Sequence, residues 1–257
     1  MRRFIKLLKC ERMKARGLWV FTSALVLSGI FLCWFLFTGQ VTEDTIRLGW
    51  YMNLYQLPLV NAIFLPLMSM VVASRLCGAE HRGHMLKALC AMEKKAAVYD
   101  AKLVYGLAVV ILCDIIIWAV IIAYGFIIGY KGPFPAKLYA LTIIFTLVPT
   151  AVIYIFQHTL SLVFRNQAAA FFSGVIGEFA GIFSLFLPNI PILRKMLIWG
   201  WYGALQLVGL YGWNKETRFQ YAYFETMPID GLFLAAVFFS GAAIYAVGKY
   251  VFVKKEV

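Results

Sequence analysis

The chain has few charged residues. Only 14% of its 257 residues are Asp, Glu, Lys or Arg, whereas 63% are hydrophobic. A soluble domain usually has roughly a quarter of its residues charged, so this composition excludes a soluble fold. The chain also lacks a polar, Ser-rich or Pro-rich segment that could link a second domain. We therefore predict a single domain over residues 1–257.

Motifs for nucleotide binding and hydrolysis are missing. The sequence contains no phosphate-binding loop G-x-x-x-x-G-K-[S/T], no zinc-protease motif H-E-x-x-H and no nucleophile elbow G-x-S-x-G. Any work that the protein does must draw its energy from a partner or from an ion gradient. We expect no enzymatic activity in this chain.

Only five cysteines are present, and all lie in predicted cytoplasmic or membrane segments, none in a predicted extracellular loop. Structural disulfides form in oxidising compartments, so none is expected. Cys77, His81 and His84 do fall at the helical spacing i, i+4 and i+7. A metal site needs further ligands that are not evident, so no metal is predicted.

Long apolar runs are the main feature that is present. A helix of about 20 residues crosses the hydrocarbon core of a bilayer, which is about 30 Å thick. Such a run must be helical in lipid, because an open strand edge would leave its amides unpaired. The sequence therefore predicts an all-α integral membrane protein with a bundle of six transmembrane helices. The predicted spans are residues 18–37, 54–74, 103–128, 138–164, 168–187 and 232–248.

A seventh apolar stretch, residues 196–213, decides the orientation. Counting it as a span would send the C-terminal lysines outside, against the positive-inside rule. With six spans and both termini in the cytoplasm, most Lys and Arg residues lie inside. We therefore predict that residues 196–213 form a re-entrant or interfacial element on the outer side, between spans five and six. Its aromatic residues expected at headgroup level are Trp199, Trp201, Tyr202, Tyr211 and Trp213, and all of these except Tyr211 are the predicted outer substrate-side residues.

The net charge of +12 does not indicate a nucleic-acid partner. The basic residues form short clusters between apolar runs, which favours anionic lipid and membrane orientation over a single nucleic-acid-binding face. In the first nine residues, the apolar side chains fall on one side of a helical wheel and the basic ones on the other. This predicts an N-terminal amphipathic interfacial helix, and the alternative is a disordered basic tail.

Two acids and one histidine lie within the predicted spans. Asp114 is near the middle of span three, Glu178 is in span five, and His158 is nearer the inner end of span four. Ionisable residues at such depth are costly and suggest function. The alternative is that they form buried polar pairs that only fix helix packing. A proton-coupled secondary transporter would use such acids, which makes it a competing hypothesis.

The longest predicted cytoplasmic segment, residues 75–102, contains a charged stretch with a short apolar stripe. This pattern is typical of a helix that lies partly in the headgroups and partly against a protein partner. It predicts a coupling helix between spans two and three. Its candidate contact residues are Gly78, Glu80, His81, Arg82, Gly83 and Leu86. In span five, Gly177 and Gly181 form a small-xxx-small pattern that would suit a subunit interface.

Two segments share their residue order with a known family. Near the N-terminus, Leu7, Leu8 and Lys9 lead to Glu11 and Lys14. After span two, a second pattern consists of Glu80, Gly83, Leu86, Leu89, Lys94, Lys95 and Lys102. In this pattern and in its layout of spans, the chain resembles the membrane subunit of bacterial ABC exporters of the second type. It departs from them at Cys90, where the family often has proline.

The short chain, with prolines at 188 and 191 before the aromatic residues at 199, 201 and 202, most resembles lantibiotic immunity permeases. The resemblance implies an ATP-driven exporter in the bacterial cytoplasmic membrane that expels a cationic antimicrobial peptide. Two cytoplasmic ATPases would carry ATP and Mg and dock near Glu80, so this chain would bind no cofactor. A second permease, identical or homologous, would pair through spans one and five. A non-transporting membrane assembly subunit is a further alternative.

Overall fold

Helices make up most of the computed structural model, which describes residues 2–39, 41–82, 85–187, 189–215, 219 and 221–255. The side chains of Arg2, Arg3 and Arg82 are not described. In chain order the helices are α1 (Arg2–Gly17), α2 (Val20–Thr38), α3 (Glu43–Arg82), α4 (Met85–Met92), α5 (Lys95–Ile128), α6 (Ala136–Val163), α7 (Gln167–Leu185), α8 (Pro191–Met196), α9 (Trp201–Ala204) and α10 (Gly231–Lys254).

Within these described ranges, six helices are long and apolar enough to cross a membrane: α2, α3, α5, α6, α7 and α10. They coincide with the six predicted spans, so the predicted fold class is confirmed. Two of them extend well beyond the predicted apolar runs. With 40 and 34 residues, α3 and α5 are about 60 and 51 Å long, longer than the hydrocarbon core. Their ends therefore project from the membrane.

The central helix is α3, which packs against α2, α5, α6 and α7. It is also the most buried of the six spans. The apolar core includes its residues Leu54, Leu57, Leu65, Met68 and Val72, all almost fully buried. The other spans surround α3 and leave their outer apolar faces exposed, as expected where lipid replaces water.

The predicted amphipathic helix at the N-terminus is α1. It buries Leu7, Glu11 and Ala15, which are spaced by four residues and therefore share one side. The chain then bends at Trp19, whose φ of 54° is left-handed and separates α1 from α2. The bend lets α1 pack against α5 as well as α2.

The two ends of the bundle differ. One end carries α1, α4 and the C-terminal end of α10, and we call it the terminal face. There Lys95 Nζ donates a hydrogen bond to the carbonyl of Lys255 at 2.6 Å, which joins the start of α5 to the end of α10. The opposite end, which we call the hairpin face, carries α8 and the two strands, and from it α9 reaches inward to Thr150 in the middle of α6.

The hairpin face contains the seventh apolar stretch. It folds as α8, a 3-10 turn at Ile198–Gly200, α9 and strand β1 (Val208–Tyr211), which pairs antiparallel with β2 (Tyr223–Thr226). Strand residue Val208 lies opposite Thr226, and Tyr211 lies opposite Tyr223. In the part of the chain that the structure describes, no element here is long enough to cross a membrane. The prediction of six spans rather than seven is therefore correct, whereas the β-hairpin was not predicted.

Candidate functional site

Four charged side chains from three helices meet near the terminal face. Lys102 Nζ of α5 donates hydrogen bonds to Glu11 Oε2 at 2.8 Å and to Glu80 Oε1 at 3.1 Å. Lys14 Nζ donates to the same Glu80 oxygen at 2.7 Å and lies 3.7 Å from Glu11 Oε1. We call these four residues the ion-pair cluster. It joins α1, α3 and α5 at one point.

The ion-pair cluster is buried on all sides except at Lys14. The side chains of Lys102, Glu80 and Glu11 are 1%, 3% and 4% exposed, whereas Lys14 is 35% exposed. Taking a charge out of water costs several kcal/mol unless it is paired. Two acids and two bases leave the cluster without a formal net charge. The cluster therefore fixes the positions of α1, α3 and α5 relative to one another, and removing a buried member leaves a buried charge of the opposite sign uncompensated.

The residues predicted to contact a partner do not lie on one coupling helix. Gly78, Glu80 and His81 belong to the last turns of α3. The Glu80 side chain is in the ion-pair cluster, so it is not an exposed contact, and this part of the prediction is corrected. Gly78 is buried beside the Gln167 side chain. His81 Nε2 lies 3.2 Å from the carbonyl oxygen of Ser161.

Several predicted positions cannot be placed. Gly83 and His84 of the predicted coupling segment and Pro188 of the predicted proline pair lie outside the described residues, as does the Arg82 side chain. Cys77 was considered as a metal ligand, and its Sγ atom lies 3.6 Å from Nδ1 of His158.

The short helix at the terminal face is α4, which begins later than the predicted segment. Leu86 is 4% exposed and packs into the core. Met85 and Met92 are 55% and 75% exposed and lie seven residues apart, on the same outward side. Cys90 is half-buried, and its burial raises the pKa of the thiol, which keeps it neutral. Thus α4 is fixed by Leu86 and presents a methionine surface.

The intramembrane polar residues are separate from one another. Asp114 is fully buried, and neither carboxylate oxygen has a hydrogen-bond partner in the described part of the chain. Glu178 is half-buried on α7. His158 is fully buried, and its Nε2 lies 3.3 Å from the carbonyl of Tyr99. The structure does not join the two acids to each other or to His158 by any hydrogen bond that it describes.

The glycines of α7 face inward. A Cβ atom added at Gly177 would collide with the indole ring of Trp199, and one added at Gly181 would collide with the Trp199 backbone and Cβ. Both glycines are buried in this single chain. The prediction that they form a subunit interface is therefore not supported. Their small size instead lets the 3-10 turn of the hairpin face pack on α7.

Most of the predicted substrate-side aromatics are structural. Trp201 is buried, and its indole nitrogen donates to the carbonyl of Lys195 at 2.8 Å. Tyr202 is also buried, which raises the pKa of its phenol, and its hydroxyl lies 2.9 Å from Thr150 Oγ1. Of the four predicted residues, Trp213 alone is exposed by about half, at 49%. Trp199 is only partly exposed and packs against Phe156.

Sequence reasoning missed two features of the site. The first is Tyr211 stacked on Tyr223 across the hairpin at 5.9 Å, both of them exposed. The available signals for this hairpin were Gly212, which follows Tyr211 and has a left-handed φ of 71° in the structure, and the alternating Tyr221 and Tyr223. The second is the ion-pair cluster, for which the signal was two acids within otherwise basic segments.

Comparison with models of known protein families shows the family of the chain. The family model described as ABC-2 family transporter protein matches residues 7–184, well over half of the chain. The matched region contains the ion-pair cluster, α4 and five of the six candidate spans. No curated protein sequence and no solved structure matches the chain.

Proposed function

Because the chain belongs to the ABC-2 family of transporter proteins, we propose that this permease subunit of an ABC transporter works as an ATP-driven exporter. ATP and Mg would bind to two separate ATPase subunits, since the chain has no phosphate-binding loop of its own. The terminal face would lie in the cytoplasm, where the ATPases are. The concentration of Lys and Arg near that face supports this orientation.

The observation that carries this proposal is the exposed methionine surface of α4. An ATPase must contact the permease at a surface outside the lipid that is fixed to the spans. Leu86 fixes α4 to the core, and Met85 and Met92 face outward. Methionine side chains adapt well to a partner surface. The ion-pair cluster next to α4 would pass a displacement from the ATPase to α1, α3 and α5.

A photo-crosslinking residue in place of Met85 or Met92 should capture the ATPase in intact cells. We expect the captured protein to contain a peptide with the sequence pattern G-x-x-x-x-G-K-[S/T], identified by mass spectrometry. The variant Met85→Glu/Met92→Glu should weaken this association by about tenfold or more, because it places two charges in an apolar contact.

Met196 provides the matched control. It is 73% exposed but lies in α8 at the hairpin face. A crosslinker at Met196, or the change Met196→Glu, should leave ATPase capture unchanged. Capture of the ATPase through Met196 and not through α4 would contradict the proposed contact and the proposed orientation.

A second permease copy, identical or homologous, would pair with this one through the outer faces of α2 and α7. The glycine side of α7 is already occupied by Trp199. Its opposite side exposes large apolar residues at helical spacing, each more than half exposed: Phe172, Ile176, Phe179 and Phe183. On α2, Ile30 and Trp34 are 50% and 41% exposed. This apolar side, rather than Gly177 and Gly181, is the proposed dimer surface.

The proposed substrate is a cationic antimicrobial peptide in the bacterial cytoplasmic membrane. The resemblance to lantibiotic immunity permeases suggests this class. The exposed aromatics of the hairpin face, Tyr211, Trp213 and Tyr223, would give such a peptide an amphipathic surface. The buried Trp201 and Tyr202 would support that surface without contacting the peptide.

The competing function is proton-coupled secondary transport, and the buried, unpaired carboxyl of Asp114 favours it. The variant Asp114→Asn/Glu178→Gln separates the two functions. An ATP-driven permease should keep resistance to the peptide within about twofold, since neither acid is needed to couple ATP hydrolysis. The measurement is the inhibitory concentration of a lantibiotic for cells that express each variant at equal levels. A proton-coupled carrier would instead lose resistance, and that result would replace the exporter proposal.

A further inference from the structure

Arg194 is a cation without a described counterion at the hairpin face. Its Nη2 donates one hydrogen bond, to the carbonyl of Leu185 at 3.3 Å. Its Nε is buried and has no acceptor among the described residues. The neighbouring Lys195 differs, because it is exposed and pairs with Asp230 at 2.6 Å. Removing a guanidinium partly from water costs free energy unless an anion pairs with it. The position of Arg194 therefore favours a bound anion.

Arg194 lines a cleft of about 500 Å³. The cleft lies where the last turn of α2, the first half of α3 and the end of α7 meet, and α3 packs against both of the other helices. Thr38, Gln56 and Gln206 add polar groups to its lining. The rest of the wall is largely apolar and includes Trp34, Phe35, Pro58, Leu59, Leu185 and Phe186. The cleft therefore combines one cationic end with a hydrocarbon-like wall.

We propose that this cleft binds an amphiphile with a phosphate or carboxylate head group. A planar guanidinium fork matches the oxygen pairs of these groups and gives charge-assisted hydrogen bonds. The head group lies at Arg194, and its hydrocarbon chain lies along the apolar wall. The cleft is at the level where α2 and α7 end, which is the level of lipid head groups in a bilayer. The natural occupant is a phospholipid of the bilayer, which supplies both the anionic head group and the hydrocarbon chain.

The test uses the purified full chain in nanodiscs of phosphatidylcholine. Dodecyl phosphate is the probe, and dodecyltrimethylammonium and inorganic phosphate are the comparison ligands. We expect calorimetric titration to detect saturable binding of dodecyl phosphate and of neither comparison ligand. Arg194→Gln should weaken the binding by about tenfold or more, because it removes a charge-assisted contact.

Two variants complete the design. Lys195→Gln removes the neighbouring charge outside the cleft and should bind dodecyl phosphate as the wild type does. Leu59→Trp fills the cleft and retains Arg194, so it should abolish binding even if Arg194→Gln fails to fold. Equal binding by the wild type and Leu59→Trp would overturn the proposal, as would equal binding of the cationic detergent. Inorganic phosphate binding as tightly as dodecyl phosphate would overturn the amphiphile assignment.

Changing the lipid of the nanodisc identifies the source of the natural ligand. Phosphatidylglycerol in the nanodisc should compete with dodecyl phosphate if the natural occupant is a bilayer phospholipid. Undiminished dodecyl phosphate binding in such nanodiscs would assign the cleft to the exported molecule. Both results depend on the anion at Arg194, and neither depends on ATPase binding.

Discussion

Replacing Lys102 by methionine should destabilise the protein by about 3–5 kcal/mol. The change removes the ammonium group that lies 2.8 Å from Glu11 and 3.1 Å from Glu80. Both carboxylates are almost fully buried, and the partly exposed Lys14 alone would remain to compensate their two negative charges. The free energy of unfolding in detergent measures this effect, and membrane fractionation confirms that the variant still inserts.

Lys14 provides the matched control for Lys102, because it belongs to the same cluster but is 35% exposed. Water can replace part of its contact with Glu80, so Lys14→Met should cost about 0–1 kcal/mol. The triple variant Lys102→Met/Glu11→Gln/Glu80→Gln should recover much of the loss, because it removes the buried acids together with their base. Equal costs for Lys102→Met and Lys14→Met would contradict the buried ion-pair cluster.

Alanine at Gly177 or Gly181 should destabilise the protein by about 1–3 kcal/mol through overpacking against Trp199. The two positions should respond differently when Trp199 is also replaced by alanine. The three atoms nearest to an added Cβ at Gly177 all belong to the indole ring, so Trp199→Ala should relieve the effect of Gly177→Ala. At Gly181 the added Cβ also meets the backbone of Trp199, 2.8 Å from its carbonyl carbon. Trp199→Ala should not relieve that contact.

The measurement is a double-mutant cycle of unfolding free energies for each glycine with Trp199. Gly29 is the control, because a Cβ added there meets nothing within 4 Å. Gly29→Ala should be neutral or slightly stabilising, since alanine favours a helix more than glycine does. If Gly177→Ala changed the oligomeric state and left monomer stability unchanged, the original subunit-interface hypothesis would be restored.

The spans could be predicted from the sequence because crossing a bilayer is mainly a matter of apolar length. The ends of α3 and α5 could not be predicted in this way. They contain Glu43, Asp44, Lys95 and Asp100, which are charged residues outside the apolar runs. The apolar run therefore covers less of the chain than the helix does. The amphipathic helix α1 was predictable because its periodicity lies within a few consecutive residues.

The contacts of the site were harder to predict because they depend on tertiary packing. Glu11 and Lys102 are 91 positions apart, and Lys14 and Glu80 are 66 apart. No local pattern states that these pairs meet. The glycine spacing in α7 correctly indicated a close approach, but it did not identify Trp199 of the same chain as the neighbour. The cleft at Arg194 likewise depends on how three separate segments meet.

The unbroken helix α3 runs from the cleft wall at Gln56 to Glu80 in the ion-pair cluster. These residues are about 36 Å apart along its axis, and Pro58 and Pro66 lie between them. Proline removes a backbone hydrogen bond and makes a helix easier to bend at that turn. A bend of about 10° at Pro66 would move Glu80 sideways by about 4 Å, more than the length of its bond to Lys102. The helix therefore has the geometry of a lever. A ligand in the cleft would contact α3 near Gln56, and a bend at Pro66 would lengthen the contacts of Glu80 with Lys102 and with Lys14 of α1.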